Sequence, residues 1–100
     1  MKYPFALIFI TSLMFGCAKP ESCFKIADDK SSYAVNERIK FISCSLDAKK
    51  YVWDFGDGEI KTKADAQITH KFSAPGNYTV TLKVTNGSNK DITSKTIAVK

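Results

Sequence analysis

The chain has 100 residues, so it holds one domain at most. Charged residues make up 25% and hydrophobic residues 44% of the sequence, an ordinary globular mixture that argues against disorder. The net charge of +5 comes from basic residues that are scattered along the chain rather than clustered. We therefore predict a solvated basic surface and no nucleic-acid partner.

The first sixteen residues have the features of a cleavable export signal. Lys2 supplies a positive start, and the uncharged, mostly apolar run 5–15 follows. This run is too short to cross a bilayer, because a spanning helix needs about 20 residues. The segment 13–17, Leu-Met-Phe-Gly-Cys, resembles a bacterial lipobox. The resemblance implies cleavage after Gly16 and a lipid on Cys17; the alternative is an ordinary secretory signal.

This interpretation divides the chain into three parts. They are a lipoprotein signal peptide at 1–16, the lipidated cysteine and a tether at 17–22, and a folded domain at 23–100. Two or three acyl chains hold a protein stably on a bilayer, so we expect a lipid-anchored protein of the cell envelope. Ala18, rather than aspartate, follows Cys17. Its resemblance to the best-known lipoprotein sorting scheme implies the outer membrane.

The folded part alternates apolar and polar residues with the period of two that predicts β-strands. The predicted strands are 23–26, 38–44, 51–55, 59–63, 68–72, 78–85 and 92–99, and the segment 28–36 is turn-rich. Strands at this spacing predict a β-sandwich with no helix in the mature body. The residues expected between its two sheets are Phe41, Trp53, Val80 and Leu82. Ile92 and Ile97 are five residues apart, so both can face the core only if a bulge resets the register.

The run 53–58 is the most informative stretch of the chain. It consists of Trp53, Asp54, Phe55, Gly56, Asp57 and Gly58. Alternation places Trp53 and Phe55 on one face of a strand and Asp54 on the other. The Gly-Asp-Gly end then predicts a tight hairpin turn, because glycine tolerates the positive φ that such turns need.

This run and two later motifs together resemble the PKD domain, an immunoglobulin-like sandwich. The later motifs are His70-x-Phe72 and Pro75-Gly76-x-Tyr78, the latter continuing through Val80, Leu82 and Val84. The resemblance covers Phe24 to Val99 and implies a seven-stranded, all-β extracellular module that is not a catalyst. Such a module acts as a spacer or contacts protein or carbohydrate. Tyr78 is interpreted as a packed aromatic whose hydroxyl bonds nearby backbone, as in a tyrosine corner.

The residues do not predict an enzyme or a cofactor site. Asp54, Asp57, Glu59 and Asp65 carry the oxygens that calcium prefers, but the hairpin explains Asp54 and Asp57 and no loop has ligand spacing. We therefore predict no metal site and no cofactor. His70 is the only histidine, and we interpret it as a hydrogen-bonded structural residue, since catalysis would need an oriented partner.

Cys23 and Cys44 remain as an even pair if Cys17 is lipidated. If the first two strands are antiparallel neighbours, matching Phe24 with Ser43 places Cys23 opposite Cys44 on the outer side. This geometry predicts a disulfide bridge in an oxidising compartment, with two free thiols as the alternative.

The strand 78–85 should turn a row of short side chains outward. Thr79, Thr81 and Lys83 form this row, with Thr96 on the neighbouring strand. Such a face loses little rotamer entropy on binding, so it is the candidate docking surface for a protein or carbohydrate partner at the cell surface. The alternatives are an ordinary solvated sheet and a spacer or accessory subunit without its own ligand. An exposed apolar patch would favour a protein partner, an aromatic strip a carbohydrate, and a smooth polar surface a spacer.

Overall fold

The computed structural model describes residues 19–63 and 65–100, and the predicted signal peptide at 1–16 and Cys17 lie outside them. The described strands are β1 (Phe24–Ile26), β2 (Ile39–Ser43), β3 (Lys50–Asp54), β4 (Ile60–Lys63), β5 (Gln67–His70), β6 (Gly76–Asn86) and β7 (Asn89–Val99). They form two antiparallel sheets, in the orders β1-β2-β5 and β4-β3-β6-β7. The predicted all-β sandwich of seven strands is confirmed. Nowhere in the described ranges is there a helix that could span a membrane.

The last two strands are longer than their sequence pattern predicts. β6 and β7 pair without interruption from Asn86 opposite Asn89 to Gly76 opposite Val99. A two-residue turn closes this hairpin, and Gly87 occupies its first central position with a φ of 66°. Glycine at that position is typical of a type II′ turn, whose twist matches that of the flanking strands.

The predicted core residues are buried between the sheets. Phe41, Trp53, Val80 and Leu82 are each 0% exposed. Ile97 is also buried, whereas Ile92 on the same strand is 55% exposed. The register of β6 and β7 shows why, because the two strands pair residue for residue without a bulge. Only one of these two isoleucines can therefore face the core.

Aromatic rings make up much of this core. The ring of Trp53 lies 5.5 Å from that of Phe24, 6.1 Å from that of Phe41 and 6.4 Å from that of Phe55, measured between centroids. Phe24 and Phe41 belong to the three-stranded sheet, and Trp53 belongs to the four-stranded sheet. The indole thus packs directly across the interface between the sheets, where its Nε1 has no hydrogen-bond partner.

The chain joins the folded body before β1 begins. Glu21 and Leu46 exchange two backbone hydrogen bonds of 3.0 Å. The Ser22 hydroxyl donates to the Leu82 carbonyl at 2.9 Å, and the Thr93 hydroxyl donates to the Ser22 carbonyl at 2.7 Å. Two residues of the predicted tether, Glu21 and Ser22, therefore belong to the folded body.

Cys23 and Cys44 form a disulfide, and their Cα atoms are 4.9 Å apart. The predicted register is the observed one, with Phe24 opposite Ser43. The bridge closes a loop with a sequence separation of 21 residues. In the chain-entropy model such a loop stabilises the folded state by about 3 kcal/mol.

The turn-rich segment contains a buried residue that the sequence pattern did not single out. Tyr33 is buried, its N–H donates to the Ala98 carbonyl at 2.9 Å, and its carbonyl accepts from the Lys100 N–H at 2.8 Å. Its hydroxyl donates to the Asp28 carbonyl at 2.9 Å. Tyr33 therefore covers one end of the free edge of β7.

Replacing Trp53 with alanine should destabilise the domain by about 3–5 kcal/mol, because it leaves a large cavity between the sheets. The melting temperature should fall by at least about 12 °C, since 1 kcal/mol corresponds to about 4–8 °C in a domain of this size. Thermal unfolding followed by circular dichroism measures the change. Ile92→Ala is the control, because its exposed side chain should contribute at most about 0.5 kcal/mol. Equal melting temperatures for the two variants would contradict the packing described above.

Candidate functional site

The turn after β3 is built by the two aspartates of the run 53–58. The Asp54 carboxylate accepts from the Gly56 N–H at 3.0 Å, and the Asp57 carboxylate accepts from the Glu59 N–H at 3.0 Å. The Phe55 N–H donates to the Glu59 carbonyl at 3.1 Å. Aspartate favours turns because its short side chain reaches the backbone two residues further on. These bonds fix the path of the turn.

Gly56 lies where no other residue fits. Its φ is +76°, and a Cβ atom added there would approach the Thr79 carbonyl oxygen to 2.6 Å. The turn therefore lies directly against the backbone of β6. Gly58 completes the turn with a φ of 98°, but a Cβ there would meet no atom within 4 Å.

His70 connects this turn to the opposite sheet. Its side chain is 7% exposed, and its Nε2 lies 2.7 Å from Oδ2 of Asp57. An ionised carboxylate only accepts hydrogen bonds, so Nε2 carries the proton and donates it. The imidazole stacks on Phe55 with a centroid distance of 3.9 Å and meets the edge of Phe72 at 4.7 Å. Since His70 lies in β5 and Phe55 follows β3, this contact joins the two sheets.

The Asp57 carboxyl is held in its ionised form. Partial burial raises its pKa, but hydrogen bonds from His70 and from the Glu59 N–H lower the pKa by more. The positive charge that His70 carries when protonated lowers it further. The pKa of Asp57 therefore lies below the ordinary aspartate value.

Tyr78 makes the backbone contact expected of it. Its hydroxyl donates to the Ala74 carbonyl at 2.7 Å, and its ring stacks on Phe72 at 4.3 Å. Pro75 and Gly76 lie between the two partners of this hydrogen bond, where the chain enters β6. The tyrosine thus closes the turn that starts the longest strand pair of the domain.

An open depression of about 570 Å³ lies beside His70. It is lined by Arg38, Asp57, Glu59, Lys61, Thr69, His70, Lys71 and Ser73. Its carboxylates have contacts within the protein: Asp57 binds His70, and Glu59 lies 3.9 Å from the Lys61 ammonium. No three His, Cys, Asp or Glu residues in the described ranges are grouped so that they could hold a metal ion. The lining residues come from separate strands and turns, so no local sequence motif predicted the depression.

The four predicted docking residues lie together on the side of β6 and β7 that faces away from the core. We call this side of the four-stranded sheet the outer face. Thr79 is opposite Thr96 and Thr81 is opposite Ser94. Their side-chain hydroxyls approach each other to 3.3 Å and 2.8 Å, so each pair forms a cross-strand hydrogen bond. Lys83 continues the row on β6.

Two exposed isoleucines enlarge the outer face beyond the predicted row. Ile60 is 62% exposed and pairs with Asp54, and Ile92 is 55% exposed and pairs with Lys83. Residues directly opposite each other in an antiparallel pair project from the same side of the sheet. Ile60 and Ile92 therefore border the outer face on its two edge strands. The position of Ile60 depends on how β4 pairs with β3, which the sequence pattern left open.

Two antiparallel sheets packed over an aromatic core define an immunoglobulin-like β-sandwich. The family model of the PKD domain matches residues 25–100. The chain therefore belongs to the PKD domain family.

Three known proteins show the range of this similarity. The chain is 41% identical over 63 residues to Collagenase ColA of Clostridium perfringens (strain 13 / Type A), a match that spans 58% of this chain and 6% of the collagenase. It is 32% identical, with a TM-score of 0.76, to a structure solved to explain the promiscuous specificity of carbohydrate-binding modules of the β-sandwich superfamily; the match covers 83% of this chain and 35% of that one. It is 27% identical, with a TM-score of 0.65, to the PKD1 domain of the Vibrio cholerae metalloprotease PrtV, over 83% of this chain and 99% of that domain.

The contact between Asp57 and His70 should make stability depend on acidity. Because the pKa of Asp57 is lower in the folded than in the unfolded state, its contribution is complete above the ordinary aspartate pKa and is lost as the pH falls through the folded value. Asp57→Asn should therefore lower the melting temperature at neutral pH, and the difference from the parent should shrink below about pH 4. Asp29→Asn changes an exposed aspartate and serves as the control. A difference that stays constant down to about pH 2 would contradict the assignment.

Proposed function

We propose that this chain is a lipid-anchored, non-catalytic module of the cell envelope that binds a protein partner through its outer face. The observation that carries the proposal is the placement of Ile60 and Ile92 on the two edge strands of that face, with the threonine row between them. The two isoleucines add exposed apolar area to a face that is otherwise polar, and exposed apolar area is a feature of interaction sites. The outer membrane is the proposed location.

The chemistry of the outer face favours a protein over a carbohydrate. Within the described ranges the large hydrophobic side chains that are exposed are Leu46, Ile60 and Ile92. All three are aliphatic, whereas an aromatic strip would point to a carbohydrate. The similarity to a structure from work on carbohydrate-binding modules supports a binding role for the fold, and the aliphatic border of the outer face supports a protein as the ligand.

Covering the threonine row of this face would cost little free energy. The hydroxyls of Thr79 and Thr81 are already bonded to those of Thr96 and Ser94, so they do not need a partner to satisfy them. Threonine and serine have short side chains that lose little rotamer entropy when a surface covers them. Binding free energy depends on such costs as much as on the area buried.

Three observations support the lipid anchor, the location outside the cytoplasm and the non-catalytic role. The segment 13–17 resembles a lipobox, and the disulfide between Cys23 and Cys44 is of the kind that persists in oxidising compartments outside the cytoplasm. The matching segment is 6% of the collagenase, which supports an accessory rather than a catalytic role. The alternative of a spacer without its own ligand would require the outer face to be functionally silent.

Replacing Cys17 with serine should release the protein from the membrane fraction or leave an uncleaved precursor, because serine offers no thiol for the lipid. Fractionation and mass spectrometry of the N-terminus measure the outcome. The parent protein should begin at Cys17 and carry the mass of its acyl chains. A parent protein whose N-terminal cysteine is unmodified, or which begins elsewhere, would refute the anchor.

Introducing charge on the outer face should abolish partner binding. Thr81→Glu places a carboxylate between the two isoleucines, and Thr96→Glu places one four residues from Ile92 on β7; a docked apolar surface would have to desolvate either. The measurement is the yield of crosslinked partner in pull-downs of the lipidated protein from intact cells. Thr69→Glu is the matched control, because Thr69 is an exposed strand threonine on the opposite sheet. Full yield from both outer-face variants would exclude this face and favour the spacer role.

A further inference from the structure

We propose that one end of the sandwich rests on the membrane, with the Leu46 side chain among the lipid headgroups and neighbouring lysines facing the lipid phosphates. This end, which we call the hairpin end, comprises the β6–β7 turn, the segment 46–50 and the entry of the chain at Glu21. The inference rests on the proposed lipid anchor at Cys17. Its occupant is a phospholipid bilayer surface.

The length of chain between the anchor and the folded body is very short. Three residues, and therefore four Cα–Cα steps, separate Cys17 from Glu21, which is already hydrogen-bonded to Leu46. A fully extended chain spans at most about 3.6 Å per residue, so the two Cα atoms lie within about 14 Å of each other. The headgroup layer of one leaflet is itself about 5–8 Å thick. The entry point at Glu21 is thus held close to the headgroups.

The entry point cannot move away from the body to lengthen this tether. The Ser22 N–H donates to the Asp91 carboxylate at 2.8 Å, in addition to the two hydroxyl-mediated bonds that join Ser22 to β6 and β7. The next residue, Cys23, is covalently bridged to Cys44. Lengthening the tether would therefore require breaking these hydrogen bonds. While the disulfide is intact, the chain cannot be released from the body beyond Cys23.

Leu46 is an exposed apolar side chain beside the point where the chain enters the body. It pairs with Glu21 across an antiparallel bridge, in which Cα atoms are about 5 Å apart. Its side chain is 60% exposed. Contact with a membrane surface would remove it from water.

Lysines flank Leu46 at the same end. Lys50 is opposite Thr85, and Thr85 is opposite Lys90, so one row of the sheet carries two lysines. The Lys49 N–H donates to the Thr85 carbonyl at 2.8 Å, which places a third lysine beside this row. With Lys19 the hairpin end has four basic residues against the three carboxylates of Glu21, Asp47 and Asp91, and the last of these is bonded to the Ser22 N–H. The small excess of positive charge suits the phosphates of a lipid surface.

Tryptophan fluorescence can locate the hairpin end relative to the bilayer. The lipidated Leu46→Trp protein is reconstituted into vesicles of phosphatidylglycerol and phosphatidylcholine whose acyl chains are brominated close to the headgroup. Ile60→Trp is the matched control, because Ile60 has nearly the same exposure, 62%. It pairs with Asp54, four residues along β3 from Lys50, or about 13 Å further from the hairpin end. The native Trp53 is 0% exposed and supplies a constant background.

The bromines should quench the indole at position 46 several times more strongly than the indole at position 60. Lys49→Trp is a second reporter at the hairpin end and should behave like the first. Flotation of the vesicles and the mass of the acyl chains are measured first. Acylated protein that floats but shows no quenching at 46 and 49, or equal quenching at 60, would overturn the orientation while leaving the anchor intact. Protein without acyl chains that does not float would overturn the anchor and the orientation together.

Discussion

A continuous row of aromatic rings between the sheets is the interaction on which the rest of the structure depends. It runs through Phe24, Trp53, Phe55, His70, Phe72 and Tyr78, with successive centroids 3.9–6.4 Å apart. Three of its five contacts, Phe24 with Trp53, Phe55 with His70 and Phe72 with Tyr78, join one sheet to the other. Packed aromatic pairs contribute beyond the area they bury. In a domain this small they account for much of the stability.

The core around this row also determines what the surface presents. Because side chains alternate along a strand, burying Val80 and Leu82 forces Thr79 and Thr81 outward. In the turn after β3, Asp57 bonds to His70 of the row, and Gly56 lies against the backbone of β6. These contacts hold the turn between β3 and β4 in one position. That turn sets the pairing that brings Ile60 to the outer face. The core thus positions the candidate docking surface through strand alternation and through the contacts that hold this turn.

Features that depend on neighbouring residues in one strand were predictable from the sequence. The period of two identified the buried side of each strand, and the pairing of Phe24 with Ser43 followed from two short segments and placed Cys23 opposite Cys44. Features that depend on where several distant strands and loops meet were not. Tyr33 is buried because the end of β7 happens to lie beside it, and the depression near His70 combines side chains from separate strands and turns. Neither position is marked by a local pattern, since each is created only when distant strands meet.

The disulfide has a mechanical consequence. β1 has three residues and lies at the edge of its sheet, so a pull on the chain N-terminal to Glu21 would otherwise peel it away one hydrogen bond at a time. The bridge sits immediately before β1 and passes the load covalently to Cys44, at the end of β2. Force applied to the N-terminus therefore enters a strand that is hydrogen-bonded on both sides, and the domain resists tension as one body rather than unravelling from its first strand.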